Sequence, residues 1–234
     1  MVKNIYIYFI VILFIIILTI IFSGCSIKED NQNQTIEGKI TEEVDYIENK
    51  ILTFFSMYAK GEYGELEKLN WDLIQENAIE LNDVLDTVIL DMSEVDVSNE
   101  DIIKFKNGIN NLSIAVFNKD INEVFKEYGE LYLLLPTFAN KSYSNKNEIK
   151  LLELKSIVIS SFVYANLLDW ESAKNTINDA EIKYKTMMDD VDYMKEYSYN
   201  LNKVFILIGE MKNAIEIEEI ELTKVKYVNF IEKI

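Results

Sequence analysis

Residues that break a chain into short elements are nearly missing here: 234 residues carry 7 Gly and 1 Pro. A β-sandwich or a doubly wound α/β domain of this size needs far more turn punctuation. Few breaks require long elements, and long elements are helices. Past Cys25, apolar residues recur at three- and four-residue spacing almost to the end of the chain. That period predicts an all-α fold.

The stripes and their interruptions outline the helices. Val44, Ile47, Ile51, Phe54, Phe55 and Tyr58 form the first stripe, which ends at the turn Lys60-Gly61-Glu62-Tyr63-Gly64. A second helix is expected from Leu66 through Val88, followed by a loop from Asp91 to Asn99. Ser98 with Asp101 three residues on has the form of an N-terminal cap for the next helix. That helix carries Ile102, Phe105, Ile109, Leu112, Ala115 and Val116 and breaks at Asn118-Lys119-Asp120. Its partner runs to Leu135, where Pro136 is expected to stop it. After a polar loop over Asn140 to Asn147, a helix over Ile149–Leu168 turns at Asp169 into a partner beginning at Trp170. Asp189 to Asp192 marks another break, and the last helical region is expected to be interrupted between Gly209 and Asn213.

The N-terminus is of another kind. Lys3 stands in a short head, Ile5 to Phe22 is an apolar run, and Ser23-Gly24-Cys25 leads into polar sequence. A basic head, an apolar stretch and small residues at a boundary describe a secretory signal, although the run has the length of a bilayer span as well. Phe22-Ser23-Gly24-Cys25 resembles the lipobox of bacterial lipoproteins, with Phe22 where that family usually has Leu. The resemblance implies cleavage between Gly24 and Cys25, lipid attachment on the Cys25 thiol, and retention on the extracytoplasmic face of the cell membrane. Two acyl chains, at about 0.8 kcal/mol per buried CH₂, would hold the chain firmly. The expected organisation is a signal peptide over 1–24, a flexible polar tether over 25–36, and a helical domain over 37–234.

The pair of helices around Asp169 resembles a tetratricopeptide repeat. Leu168-Asp169-Trp170-Glu171-Ser172-Ala173 is similar to that family's inter-helix turn. Ser161 and Tyr164 match the first helix, and Ala173, Ile177 and Ala180 match the second. Ala115, Ile121, Val124, Tyr128, Leu131 and Pro136 repeat the scheme more loosely. Asp120 and Asp169 lie 49 residues apart, against a family period of roughly 34. The fold implied is an irregular array of antiparallel helical hairpins, with a closed helical bundle as the alternative.

Charge narrows the function. The chain has a formal net charge of −17 and no His, and Lys3 is the only charged residue removed with the signal. So acidic a surface repels phosphate backbones and anionic headgroups, and there is no Arg to read them, so nucleic acid is excluded as a partner. The lone Cys25 cannot make an internal disulfide, and without His the common general base and the usual zinc sites are gone.

Several clusters invite a functional role. Asp91, Glu94 and Asp96, and then Asp189, Asp190 and Asp192, are oxygen-rich segments. Neither has the spacing and central Gly of an EF-hand, and capping or solvation accounts for them. Trp71 and Trp170 suit core packing as well as a groove. Tyr184, Tyr193, Tyr197 and Tyr199 near one break leave an interface open. Glu216, Glu218, Glu219 and Glu221, alternating with Ile215, Ile217, Ile220 and Leu222, suggest one wet face and one packed face. No catalytic or metal-binding residue and no cofactor is assigned. The expected function is a non-enzymatic, membrane-tethered lipoprotein that binds a protein or peptide. The alternatives are a small-ligand or cation receptor and, last, a cell-envelope enzyme.

Overall fold

The computed structural model of the chain describes residues 35–65 and 68–233, and over 191–201 it describes the backbone alone. Nine helices stand among the described residues: α1 (Ile36–Ala59), α2 (Trp71–Asp83), α3 (Leu85–Glu94), α4 (Asn99–Phe117), α5 (Ile121–Ser142), α6 (Lys146–Asn166), α7 (Trp170–Met188), α8 (Val191–Glu216) and α9 (Ile220–Ile231). Most begin where a short polar side chain can satisfy a free backbone N–H. Thr35 caps α1, Asn70 caps α2, and Asn145 caps α6. Ser98 caps α4 by accepting from the Asp101 N–H at 3.1 Å while its own hydroxyl donates to Asp101 Oδ2 at 2.6 Å.

Helices α4 to α9 form three hairpins in tandem, α4/α5, α6/α7 and α8/α9, whose turns are built alike. Each turn places one non-glycine residue in the left-handed region: Lys119 at φ 55°, Leu168 at φ 60° and Glu218 at φ 58°. The next residue closes the preceding helix by donating its N–H five residues back, Asp120 to Ala115, Asp169 to Tyr164 and Glu219 to Ala214. Its carboxylate then caps the following helix. This is a Schellman-type exit joined directly to an acidic entrance. The register continues inward: Val124, Ala173 and Thr223 are equivalent and buried, as are Tyr128, Ile177 and Tyr227.

The tandem does not remain open. Helix α9 returns to touch α6, and α1 packs against both α5 and α9. Phe55 of α1 meets the rings of Phe125, Phe162 and Tyr227 at centroid distances of 5.6, 6.0 and 6.2 Å. Phe54 stacks on Tyr128 at 4.2 Å, and Tyr227 stacks on Phe162 at 3.9 Å. Phenylalanine and tyrosine thus join four helices in one core among the described residues. Helix α4 approaches α5 closely at Gly108, where a Cβ would lie 2.8 Å from Leu131 Cδ2. The all-α array of antiparallel hairpins read from the sequence is therefore present, closed on one side by its own first helix.

Four expected boundaries fall elsewhere. Pro136 does not end its helix; α5 continues to Ser142 because Tyr132 and Leu135 before it and Phe138 and Ala139 after it are all buried. Burial of those four side chains outweighs the cost of about 3 kcal/mol for an interior proline. The second helix is divided at Val84, so that α2 packs mainly on α4 while α3 packs on both α1 and α4. Asp91 belongs to α3 and not to a loop. Helix α8 runs through Gly209, because Val204, Leu207, Ile208, Met211 and Ile215 keep one stripe buried, and it turns only at Ile217–Glu219. The alternating Ile and Glu residues there belong to this turn and to the ends of two helices.

Candidate functional site

An open helical array would offer a face for a ligand along α5, α6 and α9; here α1 occupies it. Polar links reinforce the aromatic contacts. Tyr132 of α5 donates to Glu48 Oε1 at 2.6 Å, and Lys155 of α6 reaches the same oxygen at 3.1 Å. Lys155 and Glu48 are only 17% and 16% exposed, so little water competes for this contact. Tyr143 donates to Asp45 one turn earlier. Tyr128 donates to Asn77 Oδ1 at 2.6 Å, and Asn77 donates in turn to the Lys50 carbonyl at 3.2 Å, tying α5, α2 and α1 together. Burial pushes the Tyr128 and Tyr132 hydroxyls well above the usual phenol range, with the charge of Glu48 adding to the effect at Tyr132.

Beside this clasp, α1 and the α2–α3 junction enclose a cleft of about 390 Å³. Lys39, Glu43 and Tyr46 line one wall, and Asp83, Val88 and Asp91 line the other. Asp91 is 8% exposed, and Glu43 Oε2 is fully buried opposite it. Burial of the Glu43 carboxyl and the negative charge of Asp91 across the cleft both disfavour its ionised form. Burial, followed by the negative charge of Asp91, pushes the Glu43 carboxyl up to about 7. Glu43 can therefore take up or release a proton near neutrality. No group of three potential metal-ligating side chains exists among the described residues.

The structure disperses the acidic clusters read from sequence. Asp91 turns inward, Glu94 is exposed, and Asp96 lies 3.8 Å from Lys141. Asp190 pairs with Lys150, while Asp189 is exposed at the end of α7 and the Asp192 side chain lies outside the described residues. Glu219 caps α9, Glu218 pairs with Lys174 at 2.7 Å, and Glu221 pairs with Lys224 at 2.7 Å. Glu216 is exposed. Trp71 and Trp170 each begin a helix and pack partly buried on the core. Tyr184 stacks on Phe205 at 5.2 Å, and the side chains of Tyr193, Tyr197 and Tyr199 lie outside the described residues.

Gly24 and Cys25 also lie outside the described residues. No described helix is long and apolar enough to cross a membrane. The chain matches no family model, no curated protein and no solved structure.

Proposed function

We propose that the chain is a lipid-anchored, extracytoplasmic protein whose helical unit binds a protein or peptide. The observation that carries this reading is the order of parts along the chain. An apolar run ends at Ser23-Gly24-Cys25, a polar stretch follows, and a compact unit opens at the Thr35 cap. Lipid on Cys25 would hold the chain at the membrane, and the polar stretch would let the unit stand clear of the headgroups. The tandem of like turns supports the likeness to tetratricopeptide repeats, an architecture widely used for recognition, so the interaction role rests on fold-level analogy.

Fractionation of cells carrying wild type or Cys25→Ala tests the anchor. The wild-type protein is expected in the membrane fraction as a processed, lipid-labelled chain, and Cys25→Ala is expected unlabelled and released or unprocessed. Lipid labelling or processing that persists without Cys25 would end the lipoprotein reading. The second reading, a receptor for a small cationic ligand, draws on the acidic cleft between α1 and α3. Reproducible thermal stabilisation by one amine, lost in Asp91→Asn, would select it.

A further inference from the structure

The three hairpin turns carry apolar side chains that the turns do not need. Phe117 is 86% exposed, Leu168 66% and Ile217 66%. Lys119 and Glu218 occupy the left-handed position in the other two turns, so that position does not call for leucine. A bulky side chain there is strained where glycine or asparagine would not be, and the strain is associated with no buried contact. Tandem stacking sets the three turns along one edge, and the Lys174–Glu218 ion pair joins the second turn to the third. The rim of this edge is acidic: Glu123, Glu171, Glu216, Glu219 and Glu221 are all exposed. Lys126 pairs with Glu123 at 3.2 Å and Lys224 with Glu221 at 2.7 Å, while Lys174 is taken by Glu218, so Glu171, Glu216 and Glu219 carry the acidic character of the rim.

The chain enters the fold at the other edge. Helix α1 runs antiparallel to α5, with Asp45 beside Tyr143, Phe54 beside Tyr128 and Tyr58 beside Phe125. Thr35 therefore lies toward the end of α5, and the turn edge lies at its beginning. An apolar strip with an acidic rim repels anionic lipid and attracts a cationic partner.

We propose that Phe117, Leu168 and Ile217 form a docking strip for a cationic amphipathic segment of a partner protein, one with apolar side chains flanked by Lys or Arg. This deepens the interaction role proposed above and rests on it. The strip takes the partner's apolar side chains, and the rim carboxylates hold its cations.

The test measures binding of a short designed Leu/Lys helical peptide to the fragment 26–234, by fluorescence anisotropy at moderate salt. Replacing Phe117, Leu168 and Ile217 together by Ser is expected to weaken binding at least about tenfold with no change in net charge. Replacing Ile79, Leu90 and Ile103, which are 49%, 60% and 57% exposed elsewhere, is expected to leave it unchanged. Leu168→Gly, which relieves the strained backbone, is expected to weaken binding about threefold while the protein melts at a higher temperature, a combination that a purely structural role cannot give. A Leu/Glu peptide should not bind. Equal effects of the two triple variants, or equal binding of the Leu/Glu peptide, would overturn the proposal. So would edge-dependent sedimentation with anionic vesicles, which would assign the strip to membrane. Loss of peptide binding alongside normal Cys25-dependent retention removes this surface alone; release at the membrane with binding intact removes the anchor alone.

Discussion

The tandem hairpins α4–α9 and the leading segment α1–α3 are both helical, yet they hold their shape by different means. In the hairpins the chain satisfies itself locally. Each turn closes one helix and caps the next within a few residues, and the same register brings equivalent side chains inward. The leading segment depends on distant partners. Helix α1 is fixed by rings and hydroxyls from α5, α6 and α9, and α3 starts at Val84 with no side-chain cap. Local satisfaction makes the hairpins repeatable, whereas distant contacts make α1 conditional on the whole array. Like turns can thus be legible in the sequence while the packing against the inner face of the hairpins is decided elsewhere.

The largest effect that would break this contrast is at Phe55, which touches aromatic rings from three other helices. Phe55→Ala is expected to destabilise the unit by about 3–5 kcal/mol in urea melts. A loss below about 1 kcal/mol would mean that α1 is an accessory and that the hairpins stand alone. Next comes Glu48→Ala, which strips Lys155 and the Tyr132 hydroxyl of their shared acceptor. A cost of about 2 kcal/mol is expected, with Glu48→Gln losing about half as much because the amide oxygen still accepts from Tyr132.

The carboxyl pair sharpens the contrast through pH. In the unfolded chain Glu43 titrates near its ordinary 4.5, and in the fold near 7, so the folded state holds the extra proton between those values. The stability this gives is complete below about pH 4.5 and is lost as pH rises through about 7. Because Glu43 is partly open to solvent, the change is expected to be about 1 kcal/mol and not the full linkage value. Stability followed from pH 5 to 8 should decline in wild type and stay flatter in Glu43→Gln. The hairpins supply the smallest effects. Asp169→Ala removes a cap and should cost about 1 kcal/mol. Leu168→Gly should raise stability by about 0.5 kcal/mol by relieving the left-handed backbone, read as a shift in the urea midpoint.

What could be read from sequence follows the same division. The turns at Asp120 and Asp169 are local chemistry, an acidic cap after a helix exit, and both stand where the pattern places them. The turn at Glu219 is built identically but hides within Ile215 to Leu222, where alternating Ile and Glu keep an amphipathic period across the break. Pro136 misleads in the opposite way, since its penalty is local and the burial that overrides it is not. The approach of Glu43 to Asp91 had no sequence signal: the two carboxyls lie on separate helices, and only packing α3 onto α1 brings them together. The same holds for the filling of the α5–α6–α9 face by α1, because the Phe54-Phe55 pair reads equally well as an ordinary core stripe.

The antiparallel course of α1 along α5 also has a mechanical meaning. A pull on the chain from its N-terminal side enters at Thr35 and runs along the axis of α1. The hydroxyl contacts of Tyr143 and Tyr132 and the rings around Phe54 and Phe55 lie in succession along that line. Force in this direction loads them in shear, all at once, instead of peeling them apart one by one. Helix α1 would then resist such a pull along much of its length and not only at its first turn.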